Sequence, residues 1–240
     1  MLSETRRISI FTGNFGSGKT EIALNFAQAL RRDDREVTVV DLDIVNPYFR
    51  SRIVREYLIS CGIKVVSPEG RLSGADVPAL PPAIRGVLDG YGGYGVFDVG
   101  GDDLGATVLG RFQRYMPEGA FNLFLVVNTR RPFTRDADGI IRQLEGIEKA
   151  ARLKVGALVS NTNLGAATDL SVILDGHRIV SEAAAKIGLP VAFLGVRRDL
   201  AVDLADAGVP VLPLDIFMKP PWYDGGEAGA ADPLLRILPR

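Results

Sequence analysis

The octapeptide GNFGSGKT, residues 13–20, constrains the fold of this chain more than any other segment. It fits the pattern G-x-x-x-x-G-K-[ST], whose glycines let successive backbone N–H groups turn inward around an anion. An apolar run precedes it and a helical pattern follows, so a helix N-terminus adds partial positive charge. Here Lys19 would reach the β- and γ-phosphates of a nucleotide, facing phosphate and solvent rather than core, and the Thr20 hydroxyl would coordinate Mg²⁺. The predicted phosphate-binding residues are Gly13, Asn14, Phe15, Gly16, Ser17, Gly18, Lys19 and Thr20.

Apolar runs alternate with helical patterns along the chain, which is typical of βαβ units and a parallel sheet. The runs are apolar throughout, as expected for strands covered on both faces. We therefore predict an α/β fold, with a mostly parallel, twisted sheet and helices on both faces. A single domain is expected over residues 1–215, with a Pro/Gly-rich tail over 216–240. The predicted strands are 8–12, 37–42, 63–66, 94–99, 123–128, 155–160, 191–196 and 209–212, and the main predicted helices are 20–31, 49–60, 136–151 and 170–187.

Acidic residues stand at the ends of two predicted strands. In VVDLD, Asp41 and Asp43 are two residues apart on an extended chain, so they point to the same face. Alone they would suit a turn and a helix cap, but beside a phosphate loop one of them can position the attacking water. In VFDVGG, Asp98 is placed to contact Mg²⁺, directly or through a water. Gly100 and Gly101 would let the backbone approach the γ-phosphate.

A further strand end, in LVSNTN, carries Asn161. Its side-chain amide offers both a donor and an acceptor, so it can recognise a purine edge; a turn asparagine fits the same position equally well. The chain has no NKxD tetrad, whose aspartate would recognise guanine. The sequence therefore favours ATP over GTP.

Composition excludes several other classes of protein. Lys plus Arg number 28 and Asp plus Glu 29, a formal charge of −1, which lacks the basic footprint of a nucleic-acid-binding protein. One cysteine, Cys61, and one histidine, His177, exclude an internal disulfide and a Cys/His zinc cluster. The first residues do not form a secretory signal, and no apolar run approaches the roughly 18 residues of a membrane span. We expect no nucleic-acid partner, no transmembrane segment and a cytoplasmic location.

The order GNFGSGKT, VVDLD, VFDVGG and VSNTN resembles the MinD/ParA/CobQ-like branch of P-loop NTPases, in the SIMIBI class. The resemblance covers roughly residues 6–215. It implies Mg²⁺ at Thr20 with Asp43 and Asp98 nearby. It also implies that Asp43 positions the lytic water, with Asp41 as the second candidate. Asn161 matches the adenine-binding position.

The sequence departs from this family at Asn14. MinD and ParA proteins carry there a second lysine, which reaches the partner's phosphates across a dimer. A neutral amide cannot supply that charge, although Arg130 or Arg131 can be considered as substitutes, and a homodimer built on other surfaces stays possible. The sequence of the phosphate loop is more similar to the corresponding loops of nickel-chaperone GTPases and of cobyrinate or dethiobiotin synthetases than to those of MinD and ParA proteins. The chain lacks the His- or Cys-rich segment of the former and the glutaminase domain of cobyrinate amidases.

These observations lead us to expect an Mg²⁺-dependent ATP-binding protein that hydrolyses ATP slowly to ADP. Its nucleotide state would switch loops near residues 43–50 and 100–104, and so control an unidentified protein partner. One alternative is an ATP-dependent synthetase that activates a carboxylate, with its substrate held by the loop at 70–82. Another is a nucleotide-binding assembly factor that does not hydrolyse ATP.

Overall fold

The computed structural model describes residues 5–42, 52–67, 81–91, 93–101, 103–116, 119–204 and 207–217. The strands in these ranges are β1 (Ile8–Thr12), β2 (Val37–Leu42), β3 (Lys64–Val66), β4 (Tyr94–Val99), β5 (Phe121–Val127), β6 (Ala157–Ser160), β7 (Val191–Arg197) and β8 (Val211–Leu214). The helices are α1 (Lys19–Arg32), α2 (Arg52–Ser60), α3 (Pro82–Asp89), α4 (Asp103–Phe112), α5 (Ala137–Ala151) and α6 (Leu170–Ile187). None of these helices has the length and hydropathy that crossing a bilayer requires.

The described strands form one eight-stranded sheet in the order β3-β2-β4-β1-β5-β6-β7-β8. Every neighbouring pair is parallel, so the predicted α/β fold is confirmed and its sheet is parallel throughout these strands. Strand β1 lies between β4 and β5, which is where the order of the strands reverses. In open parallel sheets, ligands bind outside the carboxyl ends of the strands at such a point. The topology therefore indicates a ligand site at the loops that follow β1, β4 and β5.

Helices cover both faces of the sheet, as predicted. Phe26 of α1 packs against three phenylalanines of the sheet, Phe11, Phe124 and Phe193. The ring centroids of Phe11 and Phe124 are 5.1 Å apart. These distances suit favourable aromatic pairs, and the cluster holds α1 against the strand that precedes it. The opposite face of the sheet packs against α3, α4, α5 and α6. Each of these helices contributes a buried apolar residue: Ile84, Leu109, Ile140 and Val180.

The last strand lies two residues later than predicted, at Val211–Leu214 rather than 209–212. The carbonyl of Pro210 accepts a hydrogen bond from Leu194 N of β7 at 2.9 Å, so pairing with β7 starts at the residue before β8. Strand β8 is at the sheet edge, so the missing N–H of Pro213 is tolerated inside it. Asp43, most of the loop 67–82 and most of the tail from 216 lie outside the described residues.

Candidate functional site

The loop between β1 and α1 has the backbone conformation that its glycines suggest. Gly16 has φ 76° and Gly18 has φ 82°, both in the left-handed region that favours glycine. Gly18 is the N-cap residue of α1, and Ser17 N donates to the carbonyl of Asn14 at 2.9 Å. A Cβ at Gly18 would overlap Nδ2 of Asn161. The loop therefore has the conformation that the motif requires between a strand and a helix, and Gly18 has no room for a side chain.

Lys19, the first residue of α1, is only 8% exposed. The expectation that it faces solvent was wrong, because the first turn of α1 is enclosed by the loop and the strand ends. Its neighbours Thr20 and Glu21 are buried with it. Lysine is rarely buried to this extent, since its charge needs compensation. A lysine this buried at the end of a phosphate loop is suited to strong interaction with an anion.

Thr20 and Asp98 meet across the interface between α1 and β4. The Thr20 hydroxyl donates to Oδ2 of Asp98 at 2.6 Å, and Asp98 is 1% exposed. A hydroxyl and a carboxylate are hard oxygen ligands of the kind that Mg²⁺ prefers. Within the described ranges, no cluster of three or more His, Cys, Asp or Glu residues is arranged to hold a metal. The pair therefore fits Mg²⁺ held by one or two protein oxygens together with phosphates and water.

Asp41 lies beside Asp98 in the sheet. The two are register partners in β2 and β4, and Asp98 is in turn paired with Phe11 of β1. Residues paired in this way project from the same face, which here is the face covered by α1. Asp41 is 4% exposed. The structure thus places Asp41 and Asp98 side by side, whereas the predicted role of Asp43 falls outside the described residues.

The end of β4 lies directly against the phosphate loop. Thr12 Oγ1 donates to the carbonyl of Gly100 at 3.3 Å. A Cβ at Gly101 would overlap the carbonyl carbon and oxygen of Gly13. Glycine is therefore required at 101 for the two backbones to approach this closely.

Two residues that the sequence did not single out for this role hold the loop from the side of β5. The carbonyl of Gly16 accepts from Nε of Arg131 at 2.9 Å and from Nδ2 of Asn128 at 3.3 Å. Asn128 is fully buried, and its Oδ1 accepts from the backbone N–H of Arg130 at 3.0 Å. The sequence contained one indication of the role of Asn128, which is a polar residue at the end of an apolar strand. Arg131 entered the sequence argument only as a substitute for the absent lysine.

Asn161 ties the loop to β6 rather than standing free in a pocket. Its Nδ2 donates to the carbonyl of Ser17 at 2.7 Å, and its backbone N–H donates to Val127 at 2.8 Å. It also lines a cavity of about 440 Å³ beside the loop, together with Glu21 and Gly195. One of the two amide N–H groups is engaged in this way, and Oδ1 can accept a hydrogen bond from a base.

The acid among the described residues of that cavity is also hydrogen-bonded. Glu21 is the acidic residue among the described residues that line it, and its Oε1 accepts from the backbone N–H of Phe217 at 2.5 Å. Leu164 occupies the position at which an NKxD tetrad would carry its aspartate. The one carboxylate among the described walls is therefore already hydrogen-bonded to the protein through one of its oxygens.

Solved structures share this fold. FtsY from Mycoplasma mycoides superposes with a TM-score of 0.54 at 17% identity, over 80% of this chain and 61% of that chain. The cell division protein FtsY from Thermotoga maritima gives 0.52 at 20% identity, over 79% and 61%. The signal recognition particle receptor FtsY from Elizabethkingia anophelis, solved with GDP, gives 0.50 at 15%, over 80% and 58%. This chain spans about three fifths of those proteins, and at such identities the likeness is one of fold. No curated protein matches the chain in sequence.

A family model adds evidence from sequence. Residues 8–173, more than half of the chain, match the CobQ/CobB/MinD/ParA nucleotide binding domain. The matched range contains the phosphate loop, the acids at the ends of β2 and β4, and Asn161. The chain therefore belongs to the CobQ/CobB/MinD/ParA family of nucleotide-binding domains.

Proposed function

We propose that this protein binds ATP with Mg²⁺, hydrolyses it slowly, and uses the nucleotide state to control a protein partner. The observation that carries the proposal is the 2.6 Å hydrogen bond between Thr20 Oγ1 and Asp98 Oδ2 at the end of the phosphate loop. It joins a hydroxyl that would coordinate Mg²⁺ to a buried carboxylate, beside the loop that would hold the phosphates. Membership of a nucleotide-binding family supports the same conclusion.

Catalysis at this site would consist of positioning and charge neutralisation. The N–H groups of residues 13–20 would hold the phosphates, and Lys19 would neutralise their charge. Thr20 and Asp98 would hold Mg²⁺, which when bound neutralises charge on the β- and γ-phosphate oxygens. Asp41, paired with Asp98 in the sheet, is one candidate to position the lytic water. Asp43, two residues on, is the other.

The cavity beside Asn161 is our proposed adenine site. Its volume of about 440 Å³ is within the range of small-molecule pockets. Oδ1 of Asn161 can accept from the exocyclic amine of adenine. Guanine instead presents N–H donors that suit a carboxylate, and Glu21, the carboxylate of the described wall, already accepts a hydrogen bond from Phe217 through Oε1. These contacts favour ATP as the nucleotide.

Loss of the γ-phosphate would be sensed where β4 meets the loop. Gly101 lies against the backbone of Gly13, so a movement of either segment displaces the other. Loops that change conformation when the γ-phosphate is lost are a common switch in nucleotide-binding proteins. The segment that follows, over residues 100–104, is the proposed link to the partner.

Asp98→Asn tests the metal site and, with it, the function. We expect the variant to lose about tenfold or more of its affinity for ATP in the presence of Mg²⁺, because the amide keeps the shape but lacks the charge. Without Mg²⁺ the affinity should not fall, since the amide oxygen still accepts from Thr20. Calorimetry with Mg²⁺ and with EDTA measures both, and phosphate release in Asp41→Asn and Asp43→Asn identifies the residue that positions water.

Asp89→Asn, on an exposed face of α3, is the matched control. The same dependence on Mg²⁺ in Asp98→Asn and in the parent would remove Asp98 from the metal site. A parent protein that neither binds nor hydrolyses ATP would overturn the proposed function.

Assembly provides a separate prediction. Asn14 is neutral, Arg131 is bonded to the loop of its own chain, and Arg130 pairs with Asp175 at 3.0 Å. We therefore expect no ATP-driven nucleotide-sandwich dimer, and light scattering on Asp43→Asn should give the same mass with and without ATP. An ATP-dependent dimer lost in Arg131→Ala would show that this arginine replaces the lysine. An ATP-dependent dimer unaffected by Arg130→Ala and Arg131→Ala would show that Asn14 does not limit assembly.

A further inference from the structure

A second cavity opens at the end of the sheet opposite to the phosphate loop. Its volume is about 990 Å³, and its walls include the amino ends of β5, β6 and β7 and the segment 152–156 between α5 and β6. The phosphate loop follows the carboxyl end of β1, which pairs in parallel with β5. The seven residues of β5 span about 20 Å. A ligand of this cavity would therefore bind apart from the phosphate loop, and both sites can be occupied together.

The inner wall of this cavity is aromatic. Phe26, Phe124 and Phe193 line it, and they belong to the phenylalanine cluster that packs between α1 and the sheet. Phe124 is 8% exposed, and the other two are buried more completely. The buried side chains of Met116 and Leu153 line the cavity as well. A wall of this composition favours an apolar body, since aromatic rings pack well against a ring or an aliphatic chain.

The charged part of the lining is basic. Its members are Arg6, Arg152 and Lys154, and no acidic residue of the described ranges lines the cavity. Nζ of Lys154 lies 2.5 Å from Oε2 of Glu148, so that charge is balanced from outside the lining. Nη1 of Arg6 donates to the carbonyl of Phe121 at 2.7 Å, which fixes this arginine at the amino end of β5. Two guanidinium charges therefore remain without an acidic partner among the described residues.

Arg152 has a backbone conformation that favours glycine. It is the C-cap residue of α5, with φ 54° and ψ 29°, in the left-handed region. Its backbone N–H donates to the carbonyl of Glu148 at 2.8 Å, whereas its exposed guanidinium makes no hydrogen bond or ion pair with a described residue. Contacts within the described fold therefore do not account for an arginine at this position. Residues held in such conformations are frequent at ligand sites.

Gly156 leaves space in the cavity that it lines. Its φ is outside the left-handed region, and a Cβ there would meet only the carbonyl oxygen of Leu123, at 3.8 Å. That distance is an ordinary van der Waals contact. Neither the backbone nor the neighbouring atoms require glycine here, and the absent side chain widens the cavity.

We propose that this cavity binds a small, soluble phosphate monoester with an apolar body. The dianionic phosphate would balance the charges of Arg6 and Arg152, and guanidinium groups bind phosphate through paired hydrogen bonds. A carboxylate would leave one of the two charges unbalanced. The apolar body would lie against the phenylalanine wall. A volume of about 990 Å³ is at the upper end of the range of small-molecule pockets, so the whole molecule fits inside.

Ligand-observed NMR on the full chain tests the proposal with phenyl phosphate and hexyl phosphate at about pH 8, where a phosphate monoester is a dianion. Each ester is compared with inorganic phosphate and with the carboxylate of the same body, benzoate or heptanoate. We expect at least one ester to bind with a dissociation constant on the order of 1 mM, and at least tenfold more tightly than its carboxylate or inorganic phosphate. If neither ester binds, or if a carboxylate or inorganic phosphate binds equally well, the proposal is overturned.

Variants locate the binding. Arg152→Gly should weaken ester binding by at least tenfold, because one of the two charges is lost, and should not lower the melting temperature, because glycine suits the left-handed backbone. Gly156→Phe should abolish binding by filling the cavity. Asp34→Gly, at another left-handed position with φ 59°, controls for the backbone change. Arg55→Ala, at an exposed position of α2 outside the cavity, controls for the loss of an arginine. Parent-like ester binding in Arg152→Gly, or in a folded Gly156→Phe variant, would overturn the assignment.

Two further measurements identify the site and the source of the phosphate. Ester affinity should be the same with and without ADP and Mg²⁺, and an ester that ADP displaces would lie at the phosphate loop, which would overturn the proposal. Ester binding by a protein that binds no nucleotide would retain this cavity and reject only the proposed function. Cosedimentation with phosphatidylcholine vesicles that contain phosphatidate tests a lipid source. Sedimentation with those vesicles, together with no binding of either soluble ester, would show a membrane site in place of the proposed one.

Discussion

Replacing Lys19 with alanine is expected to weaken Mg·ATP binding by about 100-fold or more. The ammonium group is proposed to contact the phosphates, and such charged contacts are strong where solvent is excluded. Lys19 is only 8% exposed, so alanine also leaves a space beneath the loop. Lys19→Met avoids that ambiguity, because methionine keeps most of the side-chain length and removes only the charge. Calorimetry with ATP and Mg²⁺ measures the effect in both variants.

The control for this experiment is Lys64→Ala, an exposed lysine of β3. It should bind ATP like the parent. Melting temperatures of all three variants separate loss of the ligand from loss of the fold. Equal ATP affinity in Lys19→Met and in the parent would contradict the placement of phosphate at this loop.

Gly101→Ala is expected to be the most damaging conservative change among the glycines discussed above. The added Cβ would overlap the backbone of Gly13, and backbone atoms cannot rotate aside as a flexible side chain can. Either the phosphate loop or the end of β4 must move. We expect a loss of about 1–3 kcal/mol in the free energy of unfolding, typical of overpacking, and at least a tenfold loss of ATP affinity. Denaturant titration and calorimetry measure the two effects.

Gly146→Ala is the matched substitution at a glycine with open space. Its Cβ would meet nothing within 4 Å, and the position is inside α5. We expect it to raise the free energy of unfolding by about 0.5–1 kcal/mol, since alanine favours the helix. A Gly101→Ala protein as stable and as active in ATP binding as Gly146→Ala would show that the loop and β4 are not in contact.

Much of the fold was predictable because the strands are apolar on both faces and the helices carry visible end signals. Tyr94–Val99 and Leu170–Ile187 were predicted to the residue. For the second of these, Asp169 caps the first turn and Gly188 ends the helix in a left-handed conformation. Both are residue types that favour those positions, so the local sequence contains the information.

The contacts that shape the site were less accessible. Asn128 and Arg131 bond to the carbonyl of Gly16 over 112 and 115 positions of the chain. Which strands become neighbours decides such contacts, and no local pattern specifies it. The same holds for the burial of Lys19, because it depends on packing between distant elements. The motif identified the phosphate loop but not the residues that brace it.

The bond from Asn161 to Ser17 spans 144 positions, and this sets when the site can exist. During synthesis the whole phosphate motif leaves the ribosome long before Asn161 has been added. Until β5 and β6 are in place, the carbonyls of the loop lack the partners that fix its shape. Nucleotide affinity is therefore a property of the completed domain, and the nucleotide can bind only after folding. At 100 times its dissociation constant, a ligand of this kind stabilises the native state by about 2.7 kcal/mol. We therefore expect the nucleotide concentration to affect the yield of folded protein.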